Sequence, residues 1–203
     1  MLNDIKSLFV HDYTKLFAIM AVGAALGLLA SFTLSIEAVE LAKNADTVLP
    51  CDISSALSCG AVGRHPTASY FGFPNAFIGV ASFAVILTVA VAGLMGTRFP
   101  KIFMYLAWGG AFTGLIFATW MFLVSVFVIG VLCPWCLTTD VATLIVLWAL
   151  TRYNIREKNL YLLKKTQKKV ETFVQKNYDI LVFIGIGVVA ALTIILNLGN
   201  QLL

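Results

Sequence analysis

Five long apolar stretches separated by polar segments dominate the 203-residue chain. Each has roughly the 20 residues that a helix needs to cross a bilayer, and isolated strands cannot satisfy their backbone hydrogen bonds in lipid. The pattern therefore predicts an all-α membrane protein with five transmembrane helices, in which residues 1–203 form a single integral membrane domain. The predicted spans cover about residues 16–36, 76–94, 102–128, 133–150 and 180–198.

The composition agrees with this class of protein. Hydrophobic residues make up 60% of the chain and charged residues 12%, whereas a soluble domain has about 25% charged residues. The net charge of +4 does not indicate nucleic-acid binding, because the basic residues mark membrane topology instead. With two histidines in the chain, a histidine-rich metal site is excluded.

The basic residues predict how the helices are oriented. Of the 14 lysines and arginines, all but Lys43 and Arg64 lie before the first span, between the second and third, or between the fourth and fifth. By the positive-inside rule, the N-terminus is cytoplasmic and the C-terminus is outside. The first span is too long for a typical signal peptide, and no clear cleavage site follows it. We therefore expect a multi-pass protein of the plasma or inner membrane.

This topology divides the polar segments into an outer loop over 37–74 and a basic cytoplasmic loop over 151–179. Within the cytoplasmic loop, the basic segment 157–175 is predicted to form a helix on the inner membrane surface. All four cysteines fall on the outer side, in a periplasmic or extracellular compartment where disulfides persist. Thiol–disulfide chemistry is therefore possible there.

Cys133 and Cys136 form a CxxC motif where a loop meets the fourth span. A helix N-terminus stabilises a thiolate, and Pro134 suits the first helical turn. Cys133 is expected near the cap as an exposed sulfur for exchange. Cys136 is expected one turn deeper, as a buried sulfur beside a lipophilic acceptor. The alternative is an inert disulfide or two buried thiols.

Cys51 and Cys59 are the second pair, and they lie in the outer loop. They can be a staple that closes the loop, a redox pair or, together with the CxxC, a zinc site. In the redox interpretation, a reduced partner protein attacks the loop disulfide and the loop pair then reduces the CxxC. The chain has no nucleotide fingerprint such as GxGxxG, so the terminal acceptor is expected to be a quinone dissolved in the lipid.

The outer loop and the CxxC together carry a family resemblance. The loop reads Cys51, then Cys59-Gly-Ala-Val-Gly-Arg-His65-Pro-Thr-Ala-Ser-Tyr-Phe71-Gly-Phe-Pro-Asn75-Ala-Phe-Ile-Gly, and Cys133-Pro-Trp-Cys136-Leu-Thr-Thr follows later. This pattern resembles the vitamin K epoxide reductase (VKOR) family over about residues 10–150. It is most similar to bacterial members that serve disulfide formation.

The resemblance implies a four-helix core around a quinone near the outer surface, with the fifth helix packed outside this core. It also implies that a short amphipathic helix in the outer loop caps the quinone site. It implies that Cys136 reacts with the quinone and that Cys133 exchanges with Cys59. It also implies that Cys51 meets the partner protein and that Asn75 hydrogen-bonds a quinone carbonyl. From its residue type alone, Asn75 can equally be a helix N-cap.

The chain departs from the family pattern at two side chains. His65 stands where serine is frequent, and it either assists proton or thiolate chemistry or begins a turn before Pro66. Asp140 stands where vitamin K reductases often have tyrosine, one turn from Cys136. A carboxylate inside a span suggests a function, so Asp140 either relays protons to the quinone or reaches water at the outer surface.

Many bacterial members also carry a fused thioredoxin-like domain after the fifth span. Because this chain ends at Leu203, its thioredoxin-fold partner is expected to be a separate protein, similar to DsbA. Four aromatic residues are candidates either for a quinone pocket or for an interface belt. They are Phe71, Phe73, Phe77 and Trp135.

The sequence therefore predicts a quinone-dependent, disulfide-generating membrane oxidoreductase. It is expected to oxidise a DsbA-like protein and to reduce ubiquinone or menaquinone. The first alternative is a vitamin K epoxide or quinone reductase, which would use the same cysteines. The second is a non-catalytic membrane protein with structural disulfides or bound zinc.

Overall fold

The computed structural model describes the backbone of residues 2–202 and the side chains of residues 13–199. In this range the protein is helical, apart from loops and one isolated β-bridge. The α-helices are α1 (Leu2–Lys43), α2 (Cys59–Arg64), α3 (Ala76–Leu94), α4 (Lys101–Val124), α5 (Pro134–Arg156), α6 (Lys164–Gln175) and α7 (Tyr178–Leu202).

Five helical segments of the described chain are long and apolar enough to cross a membrane, which confirms the predicted number. They are Tyr13–Lys43, Ala76–Leu94, Lys101–Ile129, Pro134–Arg156 and Tyr178–Gly199. Two predicted boundaries were wrong, because the first span continues past Ile36 to Lys43 and the fourth past Leu150 to Arg156. The polar residues in both extensions are mostly good helix formers, so the helix does not end where the apolar run ends.

The core of the bundle lies where α1 packs between α3 and α5, with α4 packed on α5. Phe83 of α3 and Phe17 of α1 are both buried in this core. Each ring lies against a glycine of the facing helix, Phe83 against Gly27 and Phe17 against Gly93, so closely that a Cβ at either glycine would collide with it. These glycines hold α1 and α3 together along one side of the bundle.

α7 is attached to α5 by a buried charged group. The Arg152 guanidinium donates hydrogen bonds to both carboxylate oxygens of Asp179, and Trp148 Nε1 donates to the same carboxylate at 2.9 Å. Arg152 also lies 4.7 Å from the centre of the Trp148 ring. Most other side chains of α7 are exposed on the bundle surface, as expected for a helix that faces lipid.

The basic segment lies at the end of α5 that is opposite the cysteines. The predicted helix over 157–175 is confirmed for Lys164–Gln175, while residues 157–163 form turns and irregular structure. Gln167 Nε2 donates to the carbonyl oxygen of Ile155 at 2.8 Å, which fixes α6 against the end of α5.

The outer loop, which carries Cys51 and Cys59, is fixed to the start of α5 by the isolated bridge between Leu57 and Leu132. Ser58 N–H donates to Leu132 O, and Leu132 N–H donates to Ala56 O, both at 2.9 Å. Because Cys59 and Cys133 follow this bridge by two residues and one residue, the backbone pairing brings the two cysteines together.

Asp52 organises the loop between the first two cysteines. Its carboxylate accepts hydrogen bonds from Ser58 Oγ at 2.6 Å, from Gly60 N at 2.8 Å and from Leu49 N at 2.9 Å. Partial burial alone would raise the pKa of Asp52. The three hydrogen bonds and the charge of Arg64 outweigh burial and hold this pKa below its usual value. The carboxylate is thus a fixed, ionised anchor for the start of α2.

Candidate active site

The four cysteines form one group at the outer-loop end of the bundle. Cys51 and Cys59 are joined in a disulfide, whereas Cys133 and Cys136 are free thiols. The Cys133 sulfur lies 3.4 Å from the Cys59 sulfur, and Cys136 N–H donates to Cys133 Sγ at 3.2 Å. The sulfurs are therefore in contact from Cys51 to Cys133, and Cys136 follows three residues later in the first turn of the helix.

The start of α5 matches one prediction and corrects another. Cys133 occupies the N-cap position and Pro134 the first turn, as expected. The predicted exposure of the two thiols was wrong, since Cys133 is only 1% exposed and Cys136 is partly exposed. The reason is that the loop disulfide, α2 and their apolar neighbours cover Cys133, while Cys136 faces a cavity.

This cavity has a volume of about 1170 Å³ and lies within the bundle. Cys59, Cys133 and Cys136 reach its surface, and most of its lining is apolar. Ligand sites of this kind combine an apolar lining with a few polar groups. The polar side chains around this cavity include those of Ser31, Glu37, Asn75, Ser82, Ser125, Thr139, Asp140 and Thr143.

Asn75 is one of these polar groups, and its side chain does not cap α3 although the residue is at the N-cap position. Its Nδ2 donates to the carbonyl oxygen of Thr67 at 2.7 Å, which fixes the orientation of the amide. Its Oδ1 is buried and has no hydrogen-bond partner. A buried polar atom without a partner calls for an explanation, and a polar ligand in the cavity would provide one.

The four aromatic candidates are placed differently from one another. Phe73 lines the cavity, whereas Phe71, Phe77 and Trp135 are not among its lining residues. Phe71 is 51% exposed and stacks on Phe73 with 6.3 Å between ring centres, and Phe77 is 40% exposed. Trp135 packs against the buried cysteine cluster. Of the four candidates, Phe73 alone therefore contributes to the cavity wall.

The two residues that depart from the family pattern lie in different parts of the structure. His65 Nδ1 lies 2.8 Å from Thr67 Oγ1, and His65 caps the short 3₁₀-helix Pro66–Ser69. This geometry supports the interpretation that His65 begins a turn. Asp140 lines the cavity together with Cys136, which is the position that a proton relay requires.

The sequence analysis missed Glu37, which it placed at the start of the outer loop. Glu37 is buried in α1, lines the cavity, and has its Oε1 only 3.1 Å from Cys51 Sγ. A signal for this position was present, because Ala30, Leu34, Glu37 and Leu41 follow one another at helical spacing. Glu37 thus continues a face of α1 that packs against the rest of the protein.

A CxxC beside a second cysteine pair, above an apolar cavity in a helical membrane protein, defines a membrane thiol–disulfide oxidoreductase. Residues 18–151 match the model of the vitamin K epoxide reductase family, and the chain belongs to this family. Enzymes of the family are quinone-linked disulfide and epoxide reductases, so this protein is a quinone-dependent thiol oxidoreductase of the membrane. No curated protein matches the chain.

The cavity residues fit a quinone. Its ring and tail are apolar and suit the lining, and its two carbonyl oxygens need hydrogen-bond donors. Besides its hydrogen bond to Thr67, Asn75 Nδ2 makes a long contact of 4.0 Å with Met121 Sδ, a weak acceptor that a quinone carbonyl can replace. The unpartnered Oδ1 can accept from the hydroxyl of a quinol. Cys136 places a thiol at the surface of the same cavity.

Proposed function

We propose that the protein generates disulfides in a thioredoxin-fold partner outside the cytoplasm and transfers the electrons to a membrane quinone. The cysteines lie at one end of the bundle, and the strongly basic segment around α6 lies at the other. The positive-inside rule then supports a location of all four cysteines on the periplasmic or extracellular side. A bacterial type of VKOR protein, acting on a separate DsbA-like partner, fits this arrangement.

The observation that carries the proposal is the 3.4 Å contact between the sulfurs of Cys59 and Cys133. A partner thiolate attacks Cys51 and releases Cys59 as a thiolate. Cys59 then attacks Cys133 of an oxidised CxxC and releases Cys136. The second thiolate of the partner breaks the mixed disulfide and releases Cys51, so that the partner becomes oxidised. When Cys51 closes on Cys59 again, Cys133 leaves as the second thiolate. The disulfide at Cys51–Cys59 with two free thiols at the CxxC corresponds to the stage at which the electron pair has reached the CxxC.

The cavity residues complete the reaction on the lipid side. When bound, a quinone accepts the two electrons and two protons that a dithiol releases. Asn75 orients the acceptor by hydrogen bonding, Cys136 supplies the reacting thiol, and Asp140 holds a proton at the cavity surface. Both ubiquinone and menaquinone suit this largely apolar lining.

The loop around Cys51 supports docking of a protein partner. Val48 and Ile53 flank Cys51 and are 79% and 68% exposed. Exposed apolar side chains next to a buried reactive sulfur are suited to a partner that covers them before exchange.

The direct test mixes the purified enzyme anaerobically with a quinone and reduced thioredoxin, a dithiol protein of the expected fold. We expect the quinone absorbance to fall in proportion to the thioredoxin that becomes oxidised. An unchanged quinone absorbance with all four cysteines intact would refute the proposal. Vitamin K epoxide, offered in the same assay with dithiothreitol, measures the alternative activity.

The cavity itself can be tested by filling it. Gly114 of α4 lines the cavity, and a Cβ at this position would meet no atom within 4 Å. Gly114→Leu adds a large side chain at the cavity wall, at a position where its Cβ has open space, and also favours the helix. We expect a 10-fold or greater rise in the KM for quinone, in order of magnitude, with an unchanged rate of thiol exchange between thioredoxin and the loop disulfide.

Gly109→Leu is the matched control for this variant. Gly109 is in the same helix and also has open space around it, but it is not among the cavity-lining residues. Its KM for quinone should remain that of the unmodified enzyme. Equal effects of the two substitutions would show that the cavity is not where the quinone binds.

A further inference from the structure

Glu37 has a contact that the series of thiol–disulfide exchanges described above does not use. Its carboxyl group lies near the end of α1, is 7% exposed, and places Oε1 at 3.1 Å from Cys51 Sγ. A sulfur in a disulfide carries no hydrogen, so any hydrogen between these two atoms belongs to the carboxyl group. The reduced Cys51 thiol, in contrast, could donate to the carboxylate across the same distance.

No cation neutralises this carboxyl group among the described residues. Glu37 Oε2 is buried and has no hydrogen-bond partner. The two basic residues of the outer segment are engaged elsewhere, since Lys43 pairs with Glu40 at 2.9 Å and Arg64 donates to the backbone oxygens of Ala45 and Thr47. A buried carboxyl group without a paired charge is costly to keep, and its retention suggests a function.

The position of Glu37 connects two environments. One side of the carboxyl group meets the loop disulfide, which receives electrons from the partner, and the residue also lines the cavity that contains Cys136 and Asp140. Asp52 lies nearby but is occupied by its hydrogen bonds to Ser58 and to backbone N–H groups. Glu37 is therefore the carboxyl group that remains available to Cys51.

We propose that Glu37 is a catalytic acid and base for Cys51, which deepens and rests on the thiol-oxidase function proposed above. When the second thiolate of the partner breaks its mixed disulfide with Cys51, Cys51 leaves as a thiolate and takes a proton from the Glu37 carboxyl group. The partner becomes oxidised, and the loop pair becomes reduced.

The same proton returns in the second half of the cycle. Glu37, now a carboxylate, removes the proton from the Cys51 thiol as its sulfur attacks Cys59 in the mixed disulfide between Cys59 and Cys133. The Cys51–Cys59 bond forms, the Cys59–Cys133 bond breaks, and the electron pair leaves with Cys133. Glu37 ends the cycle protonated, as it began, so protons and electrons balance.

The test measures the two half-reactions separately in Glu37→Gln, which keeps the size of the side chain but removes its acid–base function. We expect reduction of the loop disulfide by reduced thioredoxin to slow about 100-fold, at the lower end of acid–base contributions, and to lose its solvent deuterium isotope effect. Oxidation of the pre-reduced CxxC by quinone should proceed at the unmodified rate. Glu37→Asp keeps a carboxyl group one methylene further away and should retain the isotope effect with a smaller loss of rate.

Glu40→Gln is the matched control, because Glu40 lies one turn further along α1 with its side chain 47% exposed. It should leave both half-reactions unchanged. Unmodified rates in Glu37→Gln, or equal slowing of both half-reactions together with a lower melting temperature, would overturn the role of Glu37. Should the Gln variant fail to fold, loss of the isotope effect in Glu37→Asp would overturn it instead. If the unmodified enzyme itself neither oxidises thioredoxin nor reduces quinone, the proposed function fails and not merely the role of Glu37.

Discussion

Replacing Cys136 with alanine is expected to abolish quinone reduction, with a loss of more than about 1000-fold, as for removal of other catalytic nucleophiles. Both CxxC residues border the cavity, but Cys136 is partly exposed, whereas Cys133 is covered by the outer loop and is only 1% exposed. Without Cys136, the CxxC cannot form its own disulfide. The electron pair then has no sulfur through which to reach an acceptor in the cavity.

The variant should keep its fold and its loop disulfide, because Cys136 is a free thiol that bonds no other sulfur. Stopped-flow measurement of quinone absorbance, combined with mass spectrometry of alkylated cysteines, would separate the quinone step from the loop chemistry. Thr138→Ala is a suitable control, since Thr138 lies in the same turn of α5 and its hydroxyl bonds only the carbonyl oxygen of Pro134. Quinone reduction at the unmodified rate in Cys136→Ala would exclude Cys136 as the donor.

The number and position of the spanning helices could be predicted because lipid leaves few alternatives to a helix of about 20 apolar residues. The second span, Ala76–Leu94, was predicted with the bounds that the structure has. The ends of α1 and α5 were not predictable from hydropathy, because the helix continues through polar residues beyond the apolar run. At the end of α1, this extension is what buries Glu37 beside the cysteines.

The chemistry of the site was predictable to the level of residue types and spacing, but not to the level of exposure. The position of Cys133 at the N-cap could be predicted from the CxxC at the helix start, because helix capping depends on the local sequence. Which thiol is covered depends on the bridge between Leu57 and Leu132, a contact between segments far apart in the chain. The same limitation applies to Phe71 and Phe77, whose position outside the cavity lining follows from packing and not from their own sequence pattern.

Replacing Cys51 with alanine is expected to stop oxidation of a protein dithiol while leaving slow oxidation of a small dithiol. Cys133 lies under the loop and cannot be reached by a folded partner, so reduced thioredoxin depends on the loop pair for access. Dithiothreitol is small enough to enter the cavity, where Cys136 is partly exposed. We expect thioredoxin-dependent quinone reduction to fall by more than about 100-fold, because the entry nucleophile is lost. The dithiothreitol-dependent rate should fall far less.

The comparison of the two donors separates loss of electron entry at Cys51 from a general loosening of the loop. Loss of the disulfide also removes a covalent constraint from the loop, but a loosened loop would expose Cys133 and would not by itself favour the small donor over the protein. Ser55→Ala, an exposed change in the same loop, should leave both rates unaltered. Cys59→Ala should show the same preference for the small donor, since Cys51 alone cannot form the loop disulfide that reduced thioredoxin attacks. Equal loss with both donors in Cys51→Ala would mean that Cys51 holds the loop in place and is not the point at which electrons enter.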